Sequence, residues 1–267
     1  MPGPLVAQRG ADTKETIMSE GRFTHDQLRD RIRKSRPFKG PPDATIDHVL
    51  GNGQVRSFGD GQILVQQGEW PQYFYFVLAG QLHISLLNNE GSALTLRMLE
   101  PGHSCMAAIL FMGNASPVTV QTYGDTTLWA LPGKRVKKLI FDDPAFAANM
   151  LQIAIARYRN SIDHIHTIAL KTPLQRIGHY LLCEHLARGA TDLTFELAYK
   201  KSVIASHLGM TPETLSRSFA RIRKLGIGID GQKVCLKDAF ALCHFCDLTA
   251  GETCPIADKE NCAMCRI

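Results

Sequence analysis

The cysteines of this 267-residue chain are concentrated near its C-terminal end. Of the eight cysteines, five fall within the last 27 residues, as Cys243-x2-Cys246, Cys254 and Cys262-x2-Cys265. Fifteen residues separate Cys246 from Cys262, which fits the spacing between the two CxxC pairs of a four-thiolate zinc site. An iron-sulfur cluster is also held by four thiolates. Cys254 is then a spare ligand or a resolving thiol for redox exchange.

Three interpretations of these five cysteines stay open: an iron-sulfur cluster, which we favour, a zinc site, and metal-free thiols that form disulfides on oxidation. Residues 241–267 contain few large apolar side chains, so a bound metal would supply the stability that this segment needs to fold. The remaining cysteines are isolated in the sequence. We predict Cys105 and Cys183 to be small core residues and Cys235 to lie in a strand.

A second group of residues predicts a helix-turn-helix. Its short first helix carries the apolar residues Val203, Ile204 and Leu208. Gly209 breaks this helix, and Thr211 followed by Pro212 is a typical start for the next one. In this motif the second helix enters the major groove of DNA, with its N-terminal residues facing the base edges.

The outer face of that second helix has side chains suited to reading DNA bases. Arg217 can present two parallel donors to guanine, and Glu213, one turn away, can accept from the amino group of cytosine. An exposed, charged helix face without a ligand is the alternative interpretation. The residues predicted to contact DNA are Thr211, Glu213, Ser216, Arg217, Arg221 and Lys224.

The sequence around these groups predicts the elements that position them. From about residue 45 to about residue 135 the hydrophobic period is two, with a hairpin over Leu82–Met98 and further short strands between glycine turns. This pattern indicates a sandwich or a barrel-like β domain. Residues 226–236 predict two more short strands around Asp230-Gly231, which would form a wing behind the helix-turn-helix.

A long helix is predicted to join the two regions. After Asp143-Pro144, apolar residues recur at alternating intervals of four and three residues, which is the heptad pattern of a helix that packs against a partner helix. An amphipathic helix that packs on its own domain is the alternative. The predicted dimer interface consists of Leu151, Ile155, Tyr158, Ile162 and Ile165.

Charge and composition predict how the rest of the chain is divided into domains. Residues 1–44 combine many charges with few large apolar side chains, so we predict a mobile arm with one short helix and no core. The block 171–240 carries 11 basic and 6 acidic residues, a surplus of +5, which suggests a nucleic-acid partner. The predicted domains are the arm 1–44, a β domain 45–140, a dimerisation helix 141–170, a winged helix-turn-helix domain 171–240 and a cysteine-rich tail 241–267.

These features together resemble the CRP/FNR superfamily of bacterial transcription factors, over about residues 50–240. Besides the long helix, the resemblance rests on Phe58–Ile63, Gln67–Glu69, Tyr75–Gly80 and Glu213–Arg217. It implies an α+β fold with three parts: an N-terminal β-roll similar to cyclic-nucleotide-binding domains, a long dimerisation helix, and a C-terminal winged helix-turn-helix. It also implies a homodimer that binds double-stranded DNA and contacts RNA polymerase.

The recognition helix is similar to that of the FNR branch at Glu213, Ser216 and Arg217. This similarity implies a two-fold DNA site whose half-sites are of the TTGA type. The cysteine-rich tail lies beyond the part of the chain that the resemblance covers, and it is atypical of the family.

The chain departs from the family at two kinds of sensor site. Ala107 stands where cyclic-nucleotide binders have a ribose-binding glutamate, and no arginine occurs between residues 98 and 134 to pair with a phosphate. Because a buried phosphate needs a cation, we expect no cyclic nucleotide. Oxygen-sensing FNR proteins hold an iron-sulfur cluster through cysteines near the N-terminus, whereas residues 1–104 contain no cysteine.

We therefore predict a sequence-specific transcription regulator that responds to redox state, oxygen or nitrogen oxides through its C-terminal cysteines. The alternative is a β-roll regulator that responds to a small molecule and whose tail holds structural zinc. No catalytic motif is present, so we expect no enzymatic activity. The sequence has neither a long apolar run nor a signal-peptide pattern, which predicts a cytoplasmic protein without a membrane partner.

Overall fold

The computed structural model describes residues 23–88, 93–189, 192–237, 241–242 and 245. The tail cysteines Cys243, Cys246, Cys254, Cys262 and Cys265 lie outside these residues. The N-terminal half comprises α1 (His25–Lys34), α2 (Asp43–Leu50), β1 (Gln54–Phe58), β2 (Ile63–Val65), β3 (Tyr73–Leu87), β4 (Ala93–Leu99), β5 (Ser104–Cys105), α3 (Ala107–Met112), β6 (Thr119–Pro132) and α4 (Gly133–Asp142). The C-terminal half comprises α5 (Pro144–Leu170), α6 (Pro173–Ala187), β7 (Thr194–Glu196), α7 (Lys201–His207), α8 (Pro212–Ile222), β8 (Ile227–Asp230) and β9 (Lys233–Leu236).

The strands of the N-terminal half form one antiparallel sheet that is built around two long strands. β3 and β6 pair along most of their length, β1 and β2 pair with β6, and β4 and β5 pair with β3. Large apolar side chains such as Phe74, Phe76 and Trp129 are fully buried in its core. The prediction of a β domain before the long helix is confirmed.

The structure joins strands that the sequence predicts as separate. Period-two runs on either side of Gly80 belong to the single strand β3, and the runs at 118–122 and 127–131 belong to β6. Gly80 has φ of +75°, and a Cβ at this position would lie 2.4 Å from the carbonyl oxygen of Asp125. Only glycine permits both this backbone conformation and this approach, so the strand bends there without ending.

The prediction of a mobile arm over residues 1–44 is wrong for residues 23–44. The predicted helix exists as α1, which has a complete capping box at Thr24, but its residues Leu28 and Ile32 are buried in the core of the β domain. Phe38 follows in a short 3-10 turn and is completely buried against Trp129 and Phe146. A few well-spaced apolar residues therefore suffice to attach this segment, because the β domain supplies the rest of the core.

A single long helix links the two halves, as the sequence predicts. Asp143 caps α5 by accepting from the backbone N–H of Phe146, and Pro144 occupies the first helical position. Among the described residues, no single helix is long and apolar enough to span a membrane. Helices α4 and α5 meet that criterion only as a pair bent by 111°.

The C-terminal half has its own core, formed by α6, α7, α8 and the three-stranded sheet β7-β9-β8. Strands β8 and β9 enclose the Asp230-Gly231 turn, so the predicted wing is confirmed, and Cys235 lies on β9. Cys105 is buried as predicted, but the prediction that Cys183 is a core residue is wrong. Cys183 is exposed because it lies on the face of α6 opposite Ile177 and Leu181, which enter the core.

The packing of Phe38 gives a test of the N-terminal helices. We expect Phe38→Ala to cost about 3–5 kcal/mol in the free energy of unfolding, because it leaves a cavity between two aromatic rings. Phe141→Ala, at a ring that is 76% exposed, is the control and should change stability by less than about 0.5 kcal/mol. Urea denaturation of both variants measures the difference; equal effects would contradict the attachment of residues 23–44.

Candidate nucleic-acid interface

The helix-turn-helix is built by local capping and by one buried helix face. Thr211 caps α8 through its hydroxyl, which accepts from the backbone N–H of Thr214 at 3.3 Å. Leu215, Phe219 and Ile222 are buried on the inner face of the same helix. α7 and α8 therefore pack as the sequence predicts, and the opposite face of α8 is left exposed.

The structure brings all six predicted DNA-contacting residues to this exposed side. Thr211, Glu213, Ser216, Arg217, Arg221 and Lys224 are each exposed and lie on α8 or within two residues of its ends. Nη2 of Arg217 is 3.4 Å from the hydroxyl of Thr214, to which it donates. The contact of these residues with DNA stays a prediction, whereas their shared exposure is observed.

Glu213 is held as a carboxylate at the N-terminal end of α8. Its own backbone N–H and then the Thr211 hydroxyl lower the pKa of its side chain, and the positive charge of Arg217 lowers it further. An ionised carboxylate accepts hydrogen bonds only, which is what an amino group of a base requires. Arg223, in contrast, donates from Nε to the carbonyl oxygen of Ile229 at 3.2 Å and so supports the wing.

One residue that the sequence did not indicate, Arg176, fixes the helix-turn-helix to the long helix. Its Nη1 donates to the carbonyl oxygens of Leu208 and Gly209 at 3.0 and 3.2 Å. Its Nε donates to Lys171 at 2.9 Å, and its Nη2 donates to Ile168. These carbonyls lie at the C-terminal ends of α7 and α5, where a cation is favourable. The sequence does not reveal this role, because Arg176 can make these bonds only where the ends of α5 and α7 meet in the fold.

The first helix of the motif also contacts the β domain, at Thr95 of β4. Thr95 is 1% exposed, and the hydroxyl of Ser206 on α7 accepts from its backbone N–H at 2.9 Å. The same hydroxyl donates to the carbonyl oxygen of Ala93 at 2.6 Å. Nδ1 of His207 lies 3.1 Å from the carbonyl oxygen of Thr95. We call this set of bonds the β4–α7 contact.

Two histidines support this contact from α5 and α7. The rings of His164 and His207 stack with centroids 4.5 Å apart, and Nε2 of His164 donates to the carbonyl oxygen of His207 at 2.7 Å. Burial lowers the pKa of His207 from 6.5, and His164 lowers it further, against a smaller rise caused by the Thr95 carbonyl. The half-buried ring is therefore neutral, and its protonation opposes the β4–α7 contact.

Two further hydrogen bonds join the halves near the start of α7. The hydroxyl of Tyr199 donates to Oε1 of Glu100 at 3.0 Å, and the hydroxyl of Tyr123 accepts from the backbone N–H of Lys200 at 3.3 Å. The rings of Tyr123 and Tyr199 meet edge to face. We call these bonds the tyrosine contact.

The predicted dimer residues form an exposed stripe on α5. Their exposed fractions lie between 47% and 69%, although all are large and mostly apolar: Leu151, Ile155, Tyr158, Ile162 and Ile165. The alternative prediction, that this face packs on its own domain, is wrong for the described residues. An apolar stripe of this length is typical of a surface that another helix covers.

Comparisons with known proteins match both halves of the chain. Residues 55–143 match the family model of the cyclic nucleotide-binding domain, and residues 175–245 match the Crp-like helix-turn-helix domain. Cys246, Cys254, Cys262 and Cys265 lie outside both matched regions. Transcriptional activator protein Anr of Pseudomonas protegens is 25% identical over 203 residues, which cover 74% of this chain and 82% of Anr. Nitrogen fixation regulation protein FixK of Bradyrhizobium diazoefficiens is 24% identical over 214 residues, which cover 79% and 87% of the two chains.

Solved structures share the fold. FixK2 from Bradyrhizobium japonicum aligns with a TM-score of 0.64 at 21% identity, covering 73% of this chain and 98% of its own. A CooA variant from Carboxydothermus hydrogenoformans also aligns with a TM-score of 0.64 at 21% identity, over 74% and 89% of the two chains. The fold-class prediction, a β-roll followed by a long helix and a winged helix-turn-helix, is confirmed.

The β4–α7 contact gives a prediction for Ser206. Replacing it with alanine removes the acceptor for the Thr95 N–H, so we expect amide hydrogen exchange at Thr95 to accelerate about fivefold or more, for a loss of about 1 kcal/mol or more. Ser202→Ala, at an exposed serine of the same helix, is the matched control and should leave this rate unchanged. Equal protection of Thr95 in both variants would show that the contact does not hold the halves together.

The same measurement tests the role of His207. The pKa of His207 is lower when the β4–α7 contact is made than when it is broken. Protection of the Thr95 amide against hydrogen exchange should therefore be complete above pH 6.5 and should decrease as the pH falls below that value. Exchange rates at about pH 7.5 and about pH 5.5, each corrected for intrinsic exchange, measure this change. His207→Gln should remove the pH dependence.

Proposed function

We infer that the chain is a DNA-binding transcription regulator of the CRP/FNR type, and we propose that it recognises a specific site through α8. The observation that carries this proposal is the exposed polar face of α8 at Glu213, Ser216 and Arg217, on a helix whose opposite face is buried. One relative described above is named a transcriptional activator and the other a nitrogen fixation regulation protein, and we propose that this chain has no catalytic activity. We place it in the cytoplasm, without a membrane partner.

The DNA site that we propose has two-fold symmetry and TTGA-type half-sites. The similarity of Glu213, Ser216 and Arg217 to the FNR branch supports this choice. Arg217 can bond guanine through two parallel donors, and the Glu213 carboxylate can accept from cytosine on the neighbouring base pair. Arg221 and Lys224 follow toward the C-terminal end of the motif, where they would neutralise phosphates.

We propose that two copies of the chain pair through the α5 stripe. Its five large side chains are exposed along one side of a 27-residue helix, and covering them would contribute about 25 cal/mol for each Å² buried. A dimer with two recognition helices matches a two-fold DNA site. Contact with RNA polymerase is part of the proposal, on the basis of the family resemblance alone.

We further propose that the C-terminal cysteines sense redox state, oxygen or nitrogen oxides, with an iron-sulfur cluster favoured over zinc or metal-free thiols. The ring of Phe245, between Cys243 and Cys246 in sequence, lies against Gly178 of α6, where a Cβ would come within 2.1 Å of it. The neighbouring residues His179 and Cys183 are 3.8 Å apart at Nδ1 and Sγ. Among the described residues alone, no group of three or more His, Cys, Asp or Glu side chains could hold a metal ion.

The contact of Phe245 supports a location for the tail beside α6. Phe245 packs on Gly178, which is two residues from Arg176 in the sequence. A change at the cysteines can therefore act on the bonds by which Arg176 joins the ends of α5 and α7. The alternative is a β-roll regulator that responds to a small molecule and whose tail holds structural zinc.

Arg217 gives the test of DNA reading. We expect Arg217→Ala to weaken binding to a TTGA-type two-fold site by about 1–3 kcal/mol and to relax discrimination at one guanine. Lys224→Ala, the comparison variant, should weaken binding to all sequences alike and reduce the slope of log affinity against log salt by about 1. Binding assays on single-base variants of the site measure both effects. Equal weakening by Arg217→Ala on every sequence would contradict base reading.

Anaerobic purification followed by absorption spectroscopy and metal analysis tests the sensor. We expect a brown protein that air bleaches, and we expect Cys262→Ser with Cys265→Ser to abolish the colour, because only three of the five tail thiols remain and a cluster needs four. Cys235→Ser, at an exposed thiol on β9, is the matched control and should keep the colour. One colourless zinc per chain that air does not affect would overturn the cluster and support the structural tail.

A further inference from the structure

The β4–α7 contact contains a chain of hydroxyl and imidazole groups in which the position of each hydrogen is fixed. The hydroxyl of Ser206 donates to the carbonyl oxygen of Ala93 at 2.6 Å, and its oxygen accepts from the hydroxyl of Thr95 at 2.9 Å. Because a hydroxyl has a single hydrogen, Oγ1 of Thr95 must in turn accept from Nε2 of His83, which lies 2.8 Å away on β3. His83 therefore carries a hydrogen on Nε2.

The ring of His207 joins the same contact through Nδ1. This nitrogen lies 3.1 Å from the carbonyl oxygen of Thr95. A carbonyl oxygen only accepts, so the neutral ring carries its hydrogen on Nδ1, and Nε2 is the nitrogen that takes up a second proton. Protonation of His207 therefore adds a charge to the contact without supplying a bond to Thr95 that the neutral ring lacks.

The groups that surround His207 on the helical side do not compensate this charge. His164 of α5 stacks on the ring with centroids 4.5 Å apart, and the ring of Tyr180 on α6 meets it edge to face at 6.3 Å. The guanidinium of Arg176, also on α6, is positive and bonds the carbonyl oxygen of the next residue, Leu208, at 3.0 Å. Within the described part of the chain, no carboxylate forms an ion pair with His207.

The sheet side of the contact presents uncharged groups to His207. Thr95 faces it with its backbone carbonyl, and burial lowers the pKa of His83 behind Thr95. The pKa of His207 is itself lowered by burial and then by His164, against a smaller rise caused by the Thr95 carbonyl. A cation here is costly, because it is partly removed from water and gains no ion-pair partner.

The recognition face of α8 stays open while the β4–α7 contact is made. Glu213, Ser216 and Arg217 are exposed in this arrangement, so the contact fixes the helix-turn-helix without covering the residues proposed to read DNA. A two-fold site requires two recognition helices at one separation. Loss of the contact makes this separation variable, and the affinity falls with the fraction of chains that hold the correct arrangement.

We propose that the proton is an effector of DNA binding, an inference that rests on the proposed recognition of DNA through α8. Acidification opens the β4–α7 contact at His207 and weakens binding to a two-fold site. The ring has an ordinary pKa of 6.5 when the contact is open and a lower pKa when it is made, so the contact is complete above pH 6.5 and is lost progressively below that value. The pKa of Glu213 is held below its usual range, so this base-reading carboxylate stays ionised throughout.

Binding of the full chain to a two-fold TTGA-type site and to a single half-site, at about pH 7.5 and about pH 5.5 and at constant ionic strength, tests the proposal. On acidification, we expect the affinity for the two-fold site to fall about threefold or more beyond any fall for the half-site, since only the two-fold site requires a fixed separation. His207→Gln should remove this extra fall, because glutamine does not titrate and its amide can still donate to Thr95. His166→Gln, at an exposed histidine of α5, is the matched control and should keep it.

Hydrogen exchange on the free chain follows the same step without DNA. At about pH 5.5, after correction for intrinsic exchange, the Thr95 amide should exchange up to about tenfold faster than at about pH 7.5, as expected for one titrating histidine. The Lys200 amide, in the tyrosine contact, should stay protected, which separates opening at His207 from general unfolding in acid.

The proposal is overturned if both DNAs lose affinity equally on acidification, if the extra fall persists in His207→Gln, or if Thr95 and Lys200 accelerate alike. Absence of binding to either DNA at about pH 7.5 would contradict the proposed function instead. Exchange at Thr95 would then still decide whether a proton opens the contact.

Discussion

The arrangement of the DNA-binding half depends on one guanidinium group, that of Arg176. It donates to backbone carbonyls at the C-terminal ends of α5 and α7, groups that no further helical turn can satisfy. The cation and the two negative helix ends attract one another, so the end of the long helix sets the position of the helix-turn-helix. Because α5 also carries the apolar stripe, the proposed pairing of two chains and the proposed reading of DNA both depend on this helix.

The proposed cysteine sensor lies close to this joint in the chain. Phe245 lies on Gly178 of α6, two residues beyond Arg176, so the proposed sensor would act on the joint from the C-terminal side. The environment decides what each arginine does: Arg217 is exposed and free to meet a base, Arg176 has carbonyl partners, and Arg97 is buried with its Nε unpaired.

Local chemistry made part of this structure predictable. Thr211, Pro212 and Gly209 act within a few residues, so the sequence predicts the helix-turn-helix, and the alternation of apolar residues predicts the strands. The burial of Phe38 was missed because it depends on Trp129, about 90 residues further on. Arg97 resembles an ordinary outward polar residue of a strand until the register with Ile84 places it inside. Cys183 was misassigned because an apolar neighbourhood in sequence does not specify which face of α6 a residue occupies.

The separate bonds between the two halves have a mechanical consequence. The Arg176 joint alone acts as a pivot, about which the winged helix domain could turn in any direction. The β4–α7 contact at Thr95 adds a second fixed point, which leaves rotation about the line between the two. The tyrosine contact at Glu100 and Lys200 adds a third point off that line and stops this rotation. Breaking one outer contact therefore converts a rigid body into a hinge with a defined axis, and only the loss of both gives the domain full freedom.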